Sequence, residues 1–419
     1  MVKLNALSLI FVGVYLFQLI FSIWLERVNR DHLQRAGNKA PMQFREFIDE
    51  ETLTRINAYS LKKSHFSDLR KTTIDLVLLA IILSSLLPIA DSHSIDPKLH
   101  YIWAGLVFFV SVDVLFIVLE LPFDYYATFV IEQKYDFNKS DLKTWAADQL
   151  KGALLSIVLI LGVMAPLLWT IHLSPDYWWL WGFIIVAVIQ FVLVVIYPVL
   201  IAPLFNKFEP IEDQDLVRDV DNLLKRVGMK TGGIFKMDAG RRTAHSNAYF
   251  TGFGKSKRIV LFDTLIERHT RDEILAVLAH ELGHFKLKHI WKSYAVSHPA
   301  MLAGFYLTHF MLNWDLLYST FGLQPSESYI AIFFIGIFWL KSGFFLKPFY
   351  AALSRRFERE ADDFATRLVK NSGHLALALK KMGAHNLSNL TPHPVYAWFY
   401  YSHPPLPERI ALLEDQTCR

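Results

Sequence analysis

The chain contains long apolar stretches with few or no formal charges, and these constrain its fold more than any other feature. A helix needs about 20 apolar residues to cross the hydrocarbon core of a bilayer. Hydrophobic residues make up 53 % of the 419 residues, which is more than a soluble domain of this size normally buries. The sequence therefore predicts an all-α multi-spanning integral membrane protein that is surrounded by a lipid bilayer. The predicted spans are Ala6–Leu25, Leu76–Ala90, Tyr101–Phe123, Gly152–His172, Tyr177–Phe205, Ser293–Leu312 and Tyr329–Leu353.

The distribution of Lys and Arg predicts how these spans are oriented. The loop after the first span carries ten of these residues, whereas the links Leu173–Asp176 and Asn313–Ser328 carry none. Cytoplasmic loops are enriched in Lys and Arg, so we expect the amino terminus outside and the carboxyl terminus in the cytoplasm. The formal net charge of +4 is modest and does not indicate nucleic acid as a partner.

Three ionisable residues lie inside predicted spans: Asp113, Glu120 and Lys341. Such residues are costly in a bilayer and usually face a bundle interior or a water-filled cavity. We therefore expect about seven transmembrane helices around a central chamber. The alternative is that Glu120 and Lys341 lie at the membrane interfaces and extend their charged ends into water.

A soluble segment, Asn206–Lys292, separates the fifth and sixth predicted spans. The runs Ala248–Phe253 and Arg258–Phe262 are rich in β-forming residues and predict a small hairpin. Apolar residues at helical spacing predict a helix over Asp272–Lys288. The predicted organisation is a membrane region with five spans at 1–205, a cytoplasmic catalytic segment at 206–292, two further spans at 293–353, and a C-terminal cytoplasmic segment at 354–419.

The predicted helix over Asp272–Lys288 contains the motif His280-Glu281-Leu282-Gly283-His284, which matches the zincin pattern H-E-x-x-H. The two histidines are one helical turn apart, so both imidazoles project from one face, as two ligands of one Zn²⁺ must. Glu281 is rotated from them and suits a general base that acts on the attacking water. The alternative, two exposed histidines on an ordinary helix, requires a chance match that average residue usage makes uncommon.

The third metal ligand is predicted to be a carboxylate. The metzincin extension would need Gly and His where the chain has Leu287 and Ile290, and His289 is out of register. Cys418 is the only cysteine, which excludes a thiolate site in this segment.

Two glutamates, Glu358 and Glu360, are candidates for this ligand, and they lie about 200° apart on a predicted helix over Ala351–Lys370. Glu358 shares its face with small residues that permit close approach of a second helix, whereas Glu360 shares its face with charged residues typical of a solvated surface. We therefore predict Glu358 as the ligand.

Asp362, one turn after Glu358, is predicted to orient a zinc-bound histidine. The alternative for Asp362 is a surface ion pair with Arg355 or Arg359.

At several separated motifs the sequence resembles the type I CAAX prenyl proteases, which are integral membrane zinc endopeptidases with seven spans. The matching motifs are Glu120-Leu121-Pro122-Phe123, Tyr126 to Glu132, Tyr197-Pro198, Ala202 to Asn206, His245 to Phe250, Lys257 to Leu265, Ser402 to Pro405, and Glu408-Arg409. The resemblance implies zinc binding by the H-E-x-x-H histidines and Glu358, with Glu281 as the base.

The resemblance also implies roles for three residues outside the zinc motif. Asn247 and His403 match residues that contact the substrate backbone or the developing charge, and Arg409 matches a residue that supports the site. Without the resemblance, Asn247 would be interpreted as a turn residue and His403, which precedes two prolines, as a structural cap.

The predicted reaction is hydrolysis of a peptide or protein substrate with one Zn²⁺ per chain. The substrate is expected to lie extended beside Ala248–Phe253. Members of the family remove three residues after a prenylated cysteine, so a prenylated substrate is implied by resemblance. A quality-control protease for unlipidated membrane proteins and a transporter with an incidental zinc motif are the alternatives. The chain length and the absence of a retrieval signal favour a bacterial inner membrane, with the endoplasmic reticulum membrane as the eukaryotic alternative.

Overall fold

The computed structural model describes residues 2–37, 39–84, 100–251 and 258–417. In this part of the chain most residues are helical. The helices of the amino-terminal half are α1 (Ala6–Ala36), α2 (Glu50–Leu83), α3 (Tyr101–Tyr126, continued by a π-helical segment Ala127–Glu132), α4 (Leu142–Leu173), α5 (Trp178–Ile196, continued by a π-helical segment Tyr197–Ile201), α6 (Ala202–Phe205) and α7 (Gln214–Arg226).

The remaining elements form the region around the zinc motif and the last part of the membrane region. The strands are β1 (Phe208–Pro210), β2 (Ile234–Met237), β3 (Ala248–Thr251) and β4 (Arg258–Phe262). The helices are α8 (Asp263–Arg268), α9 (Arg271–Lys286), α10 (His289–Leu312), α11 (Asp315–Phe321), α12 (Ser328–Gly343), α13 (Lys347–Val369), α14 (Ser372–His385), α15 (Pro394–Tyr400) and α16 (Leu406–Thr417).

Five helical segments within the described residues are long and apolar enough to cross a membrane: Ala6–Ala36, Tyr101–Glu132, Leu142–Leu173, Trp178–Phe205 and Ser328–Val369. Large apolar side chains on these helices are exposed, including Phe17, Trp103, Val158 and Leu200. A contiguous apolar surface of this kind suits contact with lipid. The protein is therefore a mostly helical, multi-pass membrane protein.

The other two predicted spans fall on helices outside this set of five. Leu76–Ala90 begins in the apolar end of α2, whose first half is charged, and its residues 85–90 lie outside the described part of the chain. Ser293–Leu312 lies in α10, where His298, His309 and several hydroxyl side chains dilute the apolar character. Helix length and composition therefore identify five spans among the described residues, and not the predicted seven.

The small hairpin predicted from the sequence is part of a larger sheet. Within the described residues the sheet has four strands in the order β1-β2-β4-β3. β3 pairs antiparallel with β4 as predicted, whereas β2 pairs parallel with β4 and β1 antiparallel with β2. Residues 252–257, which include the link between the two predicted strands, lie outside the described residues. The sequence pattern missed β1 and β2 because strands of three and four residues are too short to show a period of two.

The helix α9 lies in a hydrophobic core that it shares with α7 and the sheet. It packs against α13 and α14, and its Leu278 and Leu282 are fully buried. Gly283 permits the close approach of α13, because a Cβ at this position would lie 3.0 Å from the Ala361 Cα atom. The helix pair is thus brought together at the point where the zinc motif faces α13.

The ionisable residues of the predicted spans are paired with polar partners. The Lys341 Nζ atom donates to the Asp75 carboxylate at 2.7 Å, and Lys341 is only 5 % exposed. Arg70 donates to Glu120 at 2.6 Å, and Ser156 donates to Asp113 at 3.0 Å. Lys341 is therefore buried in an ion pair and does not extend into interfacial water, so the interface alternative was wrong for this residue. The predicted central chamber stays a prediction.

Candidate metal centre and active site

The zinc motif lies in the second half of α9, whose start is fixed by a reciprocal cap. The Thr270 side chain accepts from the Glu273 backbone N–H, and the Glu273 side chain accepts from the Thr270 backbone N–H. From this start, the helical period turns His280 and His284 to the face that meets α13. The imidazole rings are 4.8 Å apart between centroids, and their Nε2 atoms are 3.1 Å apart.

Glu358, in the middle of α13, completes the group from the opposite side. Its Oε2 atom lies 3.3 Å from His280 Nε2, and its Oε1 atom lies 3.2 Å from His284 Nε2. One potential ligand atom from each of the three residues lies within 4.8 Å of the others. The structure therefore brings His280, His284 and Glu358 together as the sequence predicted. Glu360 is not part of this group, and its carboxylate contacts His289 instead.

The donor set fits Zn²⁺. Two imidazoles and one carboxylate leave a fourth position open, which is the arrangement of catalytic zinc sites. The Glu358 Oε2 atom is buried and makes no hydrogen bond within the described residues, so a bound cation would satisfy it. Electrostatics agree with this assignment. Burial and Arg409 lower the pKa of His280, but the carboxylates of Asp362 and Glu358 raise the pKa more, to about 9, so the surroundings favour positive charge.

Asp362 lies behind the first histidine, away from the other ligands. Its Oδ1 atom accepts a hydrogen bond from His280 Nδ1 at 2.9 Å, which leaves His280 Nε2 free to bind a metal. Arg409, from α16, donates to both oxygens of Asp362, each at 2.6 Å. Both carboxylate oxygens of Asp362 therefore accept hydrogen bonds. The alternative partner Arg355 instead donates to backbone carbonyls near Tyr401.

The remaining candidate residues line a cavity of about 560 Å³ next to the metal site, and these are Asn247, Glu281, His403 and Arg409. Burial raises the pKa of the Glu281 carboxyl, although the adjacent histidines oppose part of this effect. His403 is 60 % exposed at its side chain, and its Nε2 atom lies 3.2 Å from Glu358 Oε1. Asn247 stands at the end of the β3–β4 ladder, where its carbonyl accepts from the Phe262 N–H.

Sequence reasoning missed two residues beside the second histidine. His289 contacts His284 through their Nδ1 atoms at 3.0 Å, and His289 Nε2 contacts Glu360 Oε2 at 3.1 Å. Glu360 is therefore only partly solvated, in contrast to the prediction from its neighbours on the helix. The signal in the sequence is a third histidine, His289, five residues after the end of the motif.

Comparison with known proteins agrees with this geometry. Residues 29–207 match the model of the CAAX prenyl protease N-terminal region with five membrane helices, and residues 210–417 match peptidase family M48. The chain is 35 % identical over 383 residues to the CAAX prenyl protease 1 homolog of Arabidopsis thaliana, covering 88 % of this chain and 89 % of that protein. It is 31 % identical to CAAX prenyl protease 1 of Saccharomyces cerevisiae, covering 97 % and 95 %.

The crystal structure of S. mikatae Ste24p has the same fold. The TM-score is 0.91 at 29 % identity, over 98 % of this chain and all of that one. The molecule is thus a membrane zinc metalloendopeptidase. It belongs to the type I CAAX prenyl proteases of peptidase family M48, which confirms the resemblance seen in the sequence and does not favour the transporter alternative.

Proposed function

We propose that this protease removes the C-terminal tripeptide of prenylated CAAX proteins or peptides with a single zinc ion per chain. His280, His284 and Glu358 would bind the ion. The observation that carries the proposal is the convergence of these three side chains, of which His280 also lines the cavity that contains Glu281 and His403. The CAAX substrate is proposed from the names of the relatives, which are CAAX prenyl proteases.

Bound zinc would supply Lewis-acid polarisation of the scissile carbonyl and of the attacking water. Glu281 takes the proton from the attacking water and delivers it to the leaving amine, and burial raises the pKa of its carboxyl above the ordinary value. His403 donates from Nε2 toward the developing oxyanion. Asp362 and Arg409 keep His280 in the tautomer that binds metal.

The substrate is proposed to add to the sheet as an extended strand beside β3. β3 has no neighbour on its outer side within the described residues. Phe262 N–H bonds to the Asn247 carbonyl, and hydrogen-bonded pairs alternate in an antiparallel ladder, so Ala248 and Phe250 direct their backbone groups outward. The Ala248 N–H already donates to Asn247 Oδ1 at 2.9 Å, so the Ala248 carbonyl and the backbone groups of Phe250 can pair with a peptide, with Asn247 at the cavity end of the strand to fix its register.

The finer topology is also a proposal. We infer that α2 and α10 cross the membrane with the five apolar segments, which gives seven spans and places the metal site on the cytoplasmic side. The alternation of positive charge between loops supports this orientation. The four segments 1–205, 206–292, 293–353 and 354–419 follow from it. The bacterial inner membrane and the endoplasmic reticulum membrane are the two proposed locations.

A cleavage assay on two matched peptides tests the substrate. One peptide carries a farnesylated cysteine before its last three residues, and the other carries the same cysteine unmodified. We expect release of the tripeptide from the farnesylated peptide, and no release after zinc is removed with a chelator. Equal cleavage of both peptides would instead favour the quality-control protease.

The role of Glu281 is tested by Glu281→Gln. This change keeps the shape of the side chain but removes the base, so hydrolysis should fall by at least about 100-fold. Zinc content should be unchanged, because Glu281 is not among the metal-binding group. Glu212→Gln, at an exposed position, is the matched control. Retention of full activity by Glu281→Gln would remove Glu281 from this role.

A further inference from the structure

The far ring nitrogen of His284 has a defined partner. His284 Nε2 is directed at Glu358 and His280, so this is the nitrogen that would bind zinc. A neutral imidazole carries one proton, which must then be on Nδ1. His284 Nδ1 lies 3.0 Å from His289 Nδ1, so His284 donates to His289 across this contact.

The same reasoning fixes the tautomer of His289. Because its Nδ1 accepts, its proton is on Nε2, and that atom lies 3.1 Å from Glu360 Oε2. Two hydrogen bonds therefore run in one direction, from His284 through His289 to Glu360. We call these three residues the His284 relay. The carboxylate at its end also accepts hydrogen bonds from Lys292 and Arg356, at 3.1 and 3.0 Å.

The backbone between α9 and α10 places His289 at this point. Lys288 adopts a left-handed conformation, with φ 58° and ψ 39°, so the chain changes direction immediately before His289. As a result the rings of His284 and His289 meet nearly at right angles, with centroids 5.0 Å apart. If α9 continued without a break, the residue at position 289 would lie too far along the helix axis from His284 for the two rings to meet in this way.

Packing holds the His289 ring in place. His289 is 3 % exposed and stacks on Phe357, with centroids 4.4 Å apart and an interplanar angle of 7°. Phe357 directly precedes Glu358 on α13. The stack thus couples the orientation of the His289 ring to the helix that carries the third metal-binding side chain.

We propose that His289, held by Glu360, is a positioning residue that fixes the ring orientation and tautomer of His284 for zinc binding. The inference deepens the proposed function and rests on its zinc site. The site then has two different supports on the same helix, since Asp362 holds His280 directly and Glu360 holds His284 through one intervening imidazole. Loss of such supporting groups typically weakens metal binding by about 10- to 100-fold.

The test is zinc affinity, measured by competition with a chromophoric chelator on the full-length protein in detergent. His289→Phe keeps an aromatic ring against Phe357 but removes both hydrogen bonds, and we expect zinc binding weakened by about 10- to 100-fold. His289→Gln keeps one acceptor and one donor and should recover part of the affinity. His298→Phe, on the same helix but with its Nδ1 atom against the Tyr294 carbonyl and away from the metal site, is the matched control and should bind zinc as the wild type does.

A second variant and a spectroscopic measurement guard against misfolding. Glu360→Ala lies at a half-exposed position and should weaken zinc binding in the same direction, with no further loss when it is combined with His289→Phe. In protein loaded with Co²⁺, the visible absorption band should shift in His289→Phe and not in His298→Phe.

Two outcomes separate this inference from the proposed function. Wild-type affinity and an unshifted cobalt spectrum in both His289→Phe and Glu360→Ala would overturn the relay while leaving the zinc site intact. Wild-type protein that binds no zinc, or His284→Ala protein that binds it normally, would overturn the metal site itself and the relay with it.

Discussion

At the scale of single residues, Arg409 is the buried cation that faces two carboxylates of the site. It is 7 % exposed and lies against the carboxylates of both Asp362 and Glu358. The bidentate contact to Asp362 uses the planar guanidinium, which a lysine ammonium does not reproduce. Burial lowers the pKa of Arg409, but Asp362 and Glu358 raise it more, so the guanidinium stays charged.

Replacing Arg409 should therefore destabilise the protein strongly. Arg409→Met leaves Asp362 buried without its counter-charge, and breaking a buried ion pair in this way costs about 3 to 5 kcal/mol. Arg409→Lys should fall between the wild type and Arg409→Met. The free energy of unfolding in detergent is the measurement, with the exposed Arg218→Met as the control. Equal stability of Arg409→Met and the wild type would contradict this role.

The sequence predicts those site residues best whose positions are set by their spacing along a single helix. His280, Glu281 and His284 follow from spacing on one helix, and Glu358 follows from the small residues on its face. The His289–Glu360 contact depends on a left-handed residue and on how two helices approach, which no periodicity reveals. The ion pair of Lys341 was missed for a similar reason, because Asp75 lies 266 positions away in the sequence and outside the predicted span.

At the scale of secondary-structure elements, the crossing of α9 and α13 determines whether His280, His284 and Glu358 meet. The crossing is close because Gly283 has no side chain, and the atoms nearest to an added Cβ include the backbone of Ala361. Backbone atoms cannot rotate away as a side-chain end can, so the two helices would have to separate.

Gly283→Ala should weaken zinc binding and lower stability by about 1 to 3 kcal/mol, the usual cost of overpacking. Alanine has a higher intrinsic helix propensity than glycine. A loss of stability in Gly283→Ala would therefore come from the clash with α13 and not from the helix itself. Thermal unfolding and zinc content measure the effect. Gly304→Ala, where an added Cβ meets nothing within 4 Å, should be neutral or stabilising. If both variants behave alike, the close crossing is not required.

The outer edge of β3 gives a second prediction at this scale. Phe250→Pro removes an outward backbone N–H that the substrate is proposed to use, and proline is tolerated on an edge strand. Phe250→Val removes the same aromatic ring but keeps the N–H. We expect cleavage to be lost in the proline variant and largely kept in the valine variant, with the difference in KM. Similar kinetics in both variants would argue against strand addition.

Elements differ in how well the sequence predicts them. The long apolar helices and the two helices that carry His280, His284 and Glu358 can be predicted from the sequence, because their patterns of apolar residues extend over many positions. The strands β1 and β2 are held in the sheet by their neighbours and not by their own few residues, so only the folded chain reveals them.

At the scale of the whole molecule, the Lys341–Asp75 pair links α12 to α2 inside the membrane region. Tyr15 of α1 joins this link, since its hydroxyl donates to the Asp75 carbonyl at 2.7 Å and its ring lies 4.2 Å from Lys341 Nζ. Three helices, α1, α2 and α12, therefore meet at one buried charge pair. An unpaired charge in such surroundings is costly.

Lys341→Met should lower the thermal unfolding temperature clearly, because it leaves the Asp75 carboxylate buried and unpaired. The double variant Lys341→Met with Asp75→Asn removes both charges and should recover most of the loss. Lys236→Met, at a half-exposed position on the sheet that forms only a long 3.8 Å ion pair with Glu209, is the control. A double variant less stable than Lys341→Met alone would contradict the pairing.

The helical stretch Ser328–Val369 joins the hydrocarbon layer to the catalytic chemistry. α12, the 3-10 segment Phe344–Leu346 and α13 follow one another without an intervening loop, so 42 residues form a rod roughly 60 Å long. Its first part is apolar enough to cross a membrane, and its second part carries Glu358. A helix can tilt to match a thicker or thinner membrane, and such a tilt here would act on the helix that carries Glu358, so we expect lipid chain length to influence how firmly the protein retains a metal ion.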